Sequence, residues 1–214
     1  SNIIRICNEI GIMVPEEWGG SGFNTLSYVI AIEEIAAVEL ATSTIMSVNN
    51  SLVCQVFLDW ANDEQKSKFL RPLARGEKLG AYSLSEPQSG SDASNIKTFA
   101  KKKGKEYIIN GTKNWVTSGQ NSDVIICFCL TAEEDKNKNI SCFIIEKDTP
   151  GLGIGKKEDK LGIRASDTCE LYFDNCIVSE NNLIGSEGHG FSIAMHALSG
   201  GRIGIAAQAI GLAR

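Results

Sequence analysis

The chemistry available to this chain of 214 residues concentrates in two short segments. The first, Tyr82–Asp92, reads YSLSEPQSGSD. It leaves a run of strand-forming residues and enters a stretch holding Ser83, Ser85, Ser89 and Ser91, a glycine and two carboxylates. Such a loop offers backbone N–H groups and side-chain oxygens to a polar ligand. A plain strand-to-loop turn explains Pro87 and Gly90, but it accounts less well for the clustered hydroxyls. The second, Asn110–Gly119, reads NGTKNWVTSG. At the two-residue period of a strand, Trp115 and Thr117 share the face opposite Val116. An indole beside a hydroxyl suits a flat heteroaromatic ring, by stacking and hydrogen bonding; a core tryptophan is the other reading.

The remaining reactive side chains form no constellation. His189 and His196 are the only histidines. They are seven apart in a helical pattern, so they share a face, but no nucleophile stands beside them. Cysteines occur at 7, 54, 127, 129, 142, 169 and 176, with no CxxC pair and no histidine at zinc spacing. They read as buried apolar thiols in a reducing compartment, with Cys127 and Cys129 on one face of a strand. No metal is expected. There is no Walker A loop and no GxGxxG between a strand and a helix.

Composition narrows the class. Hydrophobic residues make up 43% and charged residues 22%, enough to bury a core. A net charge of -5 argues against duplex nucleic acid as a partner. No run of about 18 apolar residues predicts a membrane span, and no secretory signal pattern opens the sequence.

The elements that must position the two segments change type along the chain. Residues up to about Gly76 read as helical. Ile3, Ile4, Ile6 and Ile10 recur near helical spacing until Gly11, and the loop MVPEEWGGSGF follows. A second helix is predicted after Asn24 or Thr25, with Leu26, Val29, Ile30, Ile32, Ile35, Ala36 and Leu40 on its apolar face. A third is predicted from about Thr44 to Ala61. A fourth opens at Asn62 or Asp63 and closes at Gly76, with Pro72 a candidate kink. From Lys78 to about Ile184 the pattern is one of strands: LGAYSL, TFAKKK, EYIINGT, DVIICFCL, ISCFIIE and CELYFDN. KKKGKEYIING reads as a hairpin turning at Gly104, and residues 133–139 as a solvated hairpin loop. Lys101–Lys103 read as a protected sheet edge. Close-spaced short strands suggest a compact antiparallel barrel or sandwich. From Gly188 the helical pattern returns and runs almost to Arg214.

Taken together these residues resemble the acyl-CoA dehydrogenase family. SLSEPQSGSD fits its first signature, and Trp115-Val116-Thr117 stands where the family has Trp-Ile-Thr. VPEEWGGSG, EEIAAVELATSTIMSVNNSL, GKKEDKLGIRASDT and GGRIGIAAQAIGLA are most similar to its short-chain, butyryl-CoA branch. The resemblance implies an α+β fold in three parts. Residues 1–77 would form a partial N-terminal helical domain and 78–185 a middle antiparallel β-barrel domain. Residues 186–214 would be the first helix of a C-terminal helical bundle. The chain is therefore expected to be truncated at both ends.

The implied reaction is α,β-dehydrogenation of a short-chain acyl-CoA to the trans-2-enoyl-CoA. A Glu base takes the weakly acidic α-proton, and FAD accepts the β-hydride. Hydrogen bonds to the thioester oxygen stabilise the developing enolate. The resemblance also implies an electron-transferring flavoprotein as partner, a homotetramer when complete, and a bacterial cytoplasm or mitochondrial matrix setting. Carried over residue by residue, Tyr82, Leu84, Ser85, Ser91, Trp115, Val116 and Thr117 fall where the family contacts FAD. Ser91, Ser199, Gly200, Gly201 and Arg202 fall where it meets the acyl-CoA. A guanidinium near a polyanion also makes sense by charge, though an ordinary surface arginine reads equally well.

Three departures matter. Gln88 replaces the usual Gly of the Glu-Pro-Gly loop, which is expected to stiffen it. Ser199 stands where the branch usually has Asp. Gly201 occupies the position at which isovaleryl and long-chain types carry the base, and glycine cannot serve. No catalytic residue is therefore assigned, and the Glu is expected beyond Arg214. Glu86 is a tempting substitute, but in the family it is a structural residue of the loop. The alternatives are an inert FAD- and acyl-CoA-binding fragment and an acyl-CoA oxidase relative. The last helix is expected to leave an apolar face uncovered.

Overall fold

The computed structural model describes residues 9–132 and 139–214. The expected opening helix over Ile3–Ile6 and nearly all of the charged hairpin loop lie outside them. The described chain divides into two compact units.

The first unit comprises residues up to Gly80 together with Asp159–Ser166 and His196–Arg214. Helix α1 spans Thr25–Val38, and its N-cap is Asn24, whose side chain accepts from Ser27 N–H. The predicted apolar stripe ran on to Leu40, but the helix stops two residues earlier. Glu39 adopts an extended conformation and its carboxylate accepts from Ala41 and Thr42 N–H, capping a new helix, α2, at Leu40–Ser47. The third predicted helix therefore begins earlier than Thr44. It continues through π-helical turns at Val48–Cys54 into α3, Gln55–Trp60. Asn62 and Gln65 form a reciprocal capping box at the start of α4, Asp63–Gln65. A π-helical stretch at Lys66–Leu70 leads into α5, Arg71–Ala74. Pro72 lies in α5 directly after the π-helical stretch, within one continuous helical run.

The second unit comprises Ala81–Glu158 and Asp167–Met195. Its strands are β1 Gly80–Ser83, β2 Phe99–Lys103, β3 Glu106–Thr117, β4 Val124–Leu130, β5 Ile140–Glu146, β6 Leu152–Lys157, β7 Thr168–Ser179 and β8 Leu183–Ile184. They form one sheet in the order β6-β7-β3-β2-β4-β5-β8, with β1 on β4. The β2–β3 hairpin turns at Gly104, which takes a positive φ of 63. The path is open, with β6 and β8 at its ends, and β2 meets β4 in parallel at Phe99 and Leu130. The ladder thus shows an α+β chain with a sheet-rich middle whose strand path is open and includes one parallel contact. Strand β6 had no period-2 signal because LGIGKK carries two glycines; it is recruited as an edge by β7. β4 is buried along its whole length, and Tyr107, Ile109, Val116, Phe143 and Leu171 join Cys127 and Cys129 in the core.

Helix α6 runs from Gly190 to Ala213; its first turn and a half belongs to the second unit and the rest to the first. His189 precedes the helix in a turn closed to Ser186, so the two histidines do not share a helix. His196 Nε2 lies 3.0 Å from Asp59 Oδ2 and its ring meets Trp60 edge-on. Within the first unit Gly201, Gly204, Ala207, Gln208 and Gly211 form the buried stripe of α6. Gln208 Nε2 donates to Ser43 Oγ at 2.8 Å and Thr44 Oγ1 at 3.0 Å. Ile203, Ile205, Ile210 and Leu212 stay exposed, as the apolar pattern anticipated. Among the described residues no helix is long and apolar enough to cross a membrane.

Candidate functional site

Trp115 is not a core residue. In β3 the inward phase passes through Tyr107, Ile109 and Lys113, and strict alternation would turn residue 115 inward as well. The ladder to β7 pairs Lys113 with Leu171 and Val116 with Cys169, so three steps on β3 match two on β7. The extra residue is a β-bulge. Trp115 takes it up at φ 61, a left-handed conformation costly for a bulky side chain. The bulge leaves the indole 60% exposed while Val116 returns to the core. Thr117, beyond it, is half-buried.

The serine-rich loop lies beside that bulge, because Asn114 N–H donates to Ser85 O at 2.9 Å. The loop folds on Glu86, which exchanges two backbone hydrogen bonds with Ser89. The Glu86 carboxylate accepts from Lys97 N–H at 2.6 Å and Thr98 N–H at 3.0 Å. It also accepts from Gln88 Nε2 at 2.7 Å and from Lys113 Nζ at 2.7 Å. Burial pushes this carboxyl up, but the Lys113 charge and these hydrogen bonds outweigh it and hold it below the ordinary range. An anion so fully paired is no general base, which agrees with a structural part for Glu86. Gln88 also donates to Asn95 O at 3.2 Å, tying the loop where the usual glycine could not.

The carried-over FAD residues divide by accessibility. Ser85 is half-buried, Ser91 and Trp115 are exposed, and with Thr117 they can offer side chains to a ligand. Leu84 and Val116 are buried, so they can contribute only backbone. Tyr82 is held within the unit, its hydroxyl on Ala194 O at 3.3 Å and its ring against Phe128. Burial pushes its phenol well above the ordinary range. Ser89 is committed to Asp92 O at 2.6 Å. An exposed indole on strained backbone, beside a firmly tied loop that carries accessible hydroxyls, fits a planar, polar-edged cofactor. Lys113 was missed in the sequence, although its phase with Tyr107 and Ile109 marks it as inward-facing.

In the first unit, Gly201 and Arg202 line a cavity of about 290 Å³ with Ser47, Val48, Ser51, Leu52, Leu198 and Ile205. Its walls are mostly aliphatic, with two hydroxyls and one guanidinium, and no carboxylate lines it. Gly200 approaches Ser51 O, whereas Ser199 lies on the exposed side of the helix. The α2 and π-helical wall was not found from sequence, because Val48, Ser51 and Leu52 read as ordinary helix residues. Among the described residues no cluster of His, Cys, Asp and Glu could hold a metal ion.

Comparison with known proteins places this geometry. The N-terminal domain of acyl-CoA dehydrogenases matches residues 7–77, and the middle domain matches residues 81–176. An acyl-CoA dehydrogenase of Bacillus subtilis is 50% identical over 204 residues, 95% of this chain and 54% of the relative. A short-chain specific acyl-CoA dehydrogenase of Clostridium acetobutylicum is 49% identical over the same shares of each. The solved structure of butyryl-CoA dehydrogenase from Megasphaera elsdenii superposes with a TM-score of 0.94 at 42% identity, covering 99% of this chain and 57% of that one. The chain spans about half the length of the relatives it matches. The signature loop on Glu86, the bulge at Trp115 and these two matched domains identify the chain as a member of the acyl-CoA dehydrogenase family.

Proposed function

We propose that this chain supplies the flavin-facing and acyl-facing surfaces of a short-chain acyl-CoA dehydrogenase. The observation that carries the reading is the cavity beside Gly201 and Arg202. At about 290 Å³ it lies at the small end of ligand pockets, which run from roughly 300 to 1,000 Å³. Its aliphatic lining suits a short acyl chain, and Arg202 suits the polyanionic CoA portion. FAD, when bound, supplies the acceptor for the β-hydride. Trp115 would stack on its ring system, Thr117, Ser85 and Ser91 would hydrogen-bond its polar edge, and Leu84, Val116 and Tyr82 would fix the backbone behind them. Ser91, Ser199 and Gly200 would complete the acyl-CoA contacts.

The residues lining the cavity can bind and orient, but none can take a proton from carbon. By the family resemblance the base would be a Glu beyond Arg214, since Gly201 cannot serve as one. The three-part reading, 1–77, 78–185 and 186–214 with a middle barrel, belongs to the same proposal. So do the homotetramer, the electron-transferring flavoprotein as electron acceptor, and a reducing compartment, bacterial cytoplasm or mitochondrial matrix.

The test is an anaerobic titration of the FAD-reconstituted chain with butyryl-CoA, following flavin absorbance. The expected result is a bound flavin whose spectrum shifts with butyryl-CoA but stays oxidised. Bleaching would show that a base is present and refute its assignment beyond Arg214. Absence of flavin binding would overturn the FAD site as drawn from these residues.

A further inference from the structure

The Lys113 ammonium is fully buried, and it sits under the signature loop rather than in it. It donates to Leu84 O at 3.0 Å and to Glu86 Oε1 at 2.7 Å. We infer that Lys113 is a positioning residue that fixes the direction of the Leu84–Ser85 peptide and so presents the loop's outward donors to the cofactor. The inference rests on the FAD reading given above.

The argument is geometric. Among the described residues no peptide bond is cis, so the Leu84 carbonyl and the Ser85 N–H point in opposite directions. A carbonyl drawn inward by the buried ammonium turns the Ser85 N–H outward. The next peptide is pinned from the other side, where Ser85 O accepts from Asn114 N–H at 2.9 Å. Lys113 and Asn114 immediately precede Trp115, so one tripeptide holds the loop from beneath, holds it from the side, and turns the indole out. Glu86 extends the clamp to the start of β2 through Lys97 and Thr98 N–H. The carboxylate is 3% exposed and the lysine 0%, so solvent neither screens the pair nor replaces it. A surface lysine could not aim a single peptide group in this way. An apolar residue at 113 would fill the core but leave the Leu84 carbonyl buried without this donor.

A variant that merely unfolds would decide nothing, so the test uses a neutral pair. Lys113→Met with Glu86→Gln removes both charges together, which spares the fold the unpaired charge that makes single removals costly. Amide hydrogen exchange across residues 82–98 and FAD affinity are measured on parent and double variant, with thermal melting as the control. The expected result is exchange at least tenfold faster across Leu84–Gly90, unchanged exchange in β4 and β5, and FAD binding at least tenfold weaker. Lys113→Arg is expected to restore part of the protection. Parent-like loop exchange in a folded double variant would overturn the inference, whatever its FAD affinity. A parent chain that binds no FAD would fell the FAD reading alone, because exchange still reports whether Lys113 orders the loop.

Discussion

Tyr28 Oη donates to Ser47 Oγ at 3.0 Å, and the pair occupies the space into which a Cβ on Gly204 would project. The tyrosine is 1% exposed, anchored between α1 and α2 in the core of the first unit. It cannot swing away without leaving a void. Replacing Gly204 with Ala in α6 should therefore destabilise the chain by about 1–3 kcal/mol, despite alanine's better helix propensity. Urea melts would show a lower midpoint. Adding Tyr28→Phe should restore part of the loss by removing the nearest atom. Full stability of Gly204→Ala would mean that α6 sits further from α2 than described.

The helix, strand, helix order and most strands were legible in the sequence because they follow local patterning. What escaped it depends on tertiary context. Glu39 has no special propensity for ending a helix; it does so here because its carboxylate satisfies two N–H groups of α2. Strand β6 is a strand because β7 offers an edge. At the site, alternation correctly placed Val116 opposite Trp115, but a period cannot reveal a bulge, and the bulge decides that the indole faces out. The candidate motif residues could be read from the sequence, while what packs against them could not: Lys113 from beneath, and the Val48–Leu52 wall of the cavity.

Asn49 is a second buried polar anchor. Its Nδ2 donates to Ile10 O at 3.0 Å and Leu73 O at 3.4 Å, and its Oδ1 accepts from Gly80 N–H at 3.1 Å. Three segments distant in sequence converge on one amide. Asn49→Leu, similar in volume, would strand these buried backbone groups at about 1–3 kcal/mol for each one left unpaired. The expected outcome is a lower urea midpoint with an unchanged slope, since the surface exposed on unfolding stays the same. A midpoint equal to the parent's would refute the anchoring part.

The thiols give a probe of unfolding. Cys54, Cys127, Cys129, Cys142, Cys169 and Cys176 are all free and buried. Burial pushes Cys54 and Cys176 up to about 12 and Cys169 up to about 11, the last two with help from neighbouring negative charge. At pH 8 these six should resist a maleimide in the native chain and all react in denaturant. Peptide mapping after a short pulse would locate the labels and separate these six from Cys7. Prompt native labelling at any of the six would show that its element opens readily.

Acid should act on the second unit through Glu86. Its carboxyl titrates lower in the folded chain than the value of about 4.3 usual for an unfolded one. The ionised group therefore contributes stability above that value, and the contribution is lost as pH falls through the folded value. Lys113→Met reverses the sign. Glu86 would then be buried without its counter-charge, its carboxyl would rise above the unfolded value, and protonation would favour the folded state. The single variant should lose about 3–5 kcal/mol at pH 7, the cost typical of breaking a buried pair. Its deficit relative to the parent should shrink as pH is lowered toward 4. Melting temperatures of both proteins across pH 4 to 8 would show the two curves converging toward acid. Parallel curves would mean that the ammonium of Lys113 does not hold the Glu86 carboxylate ionised.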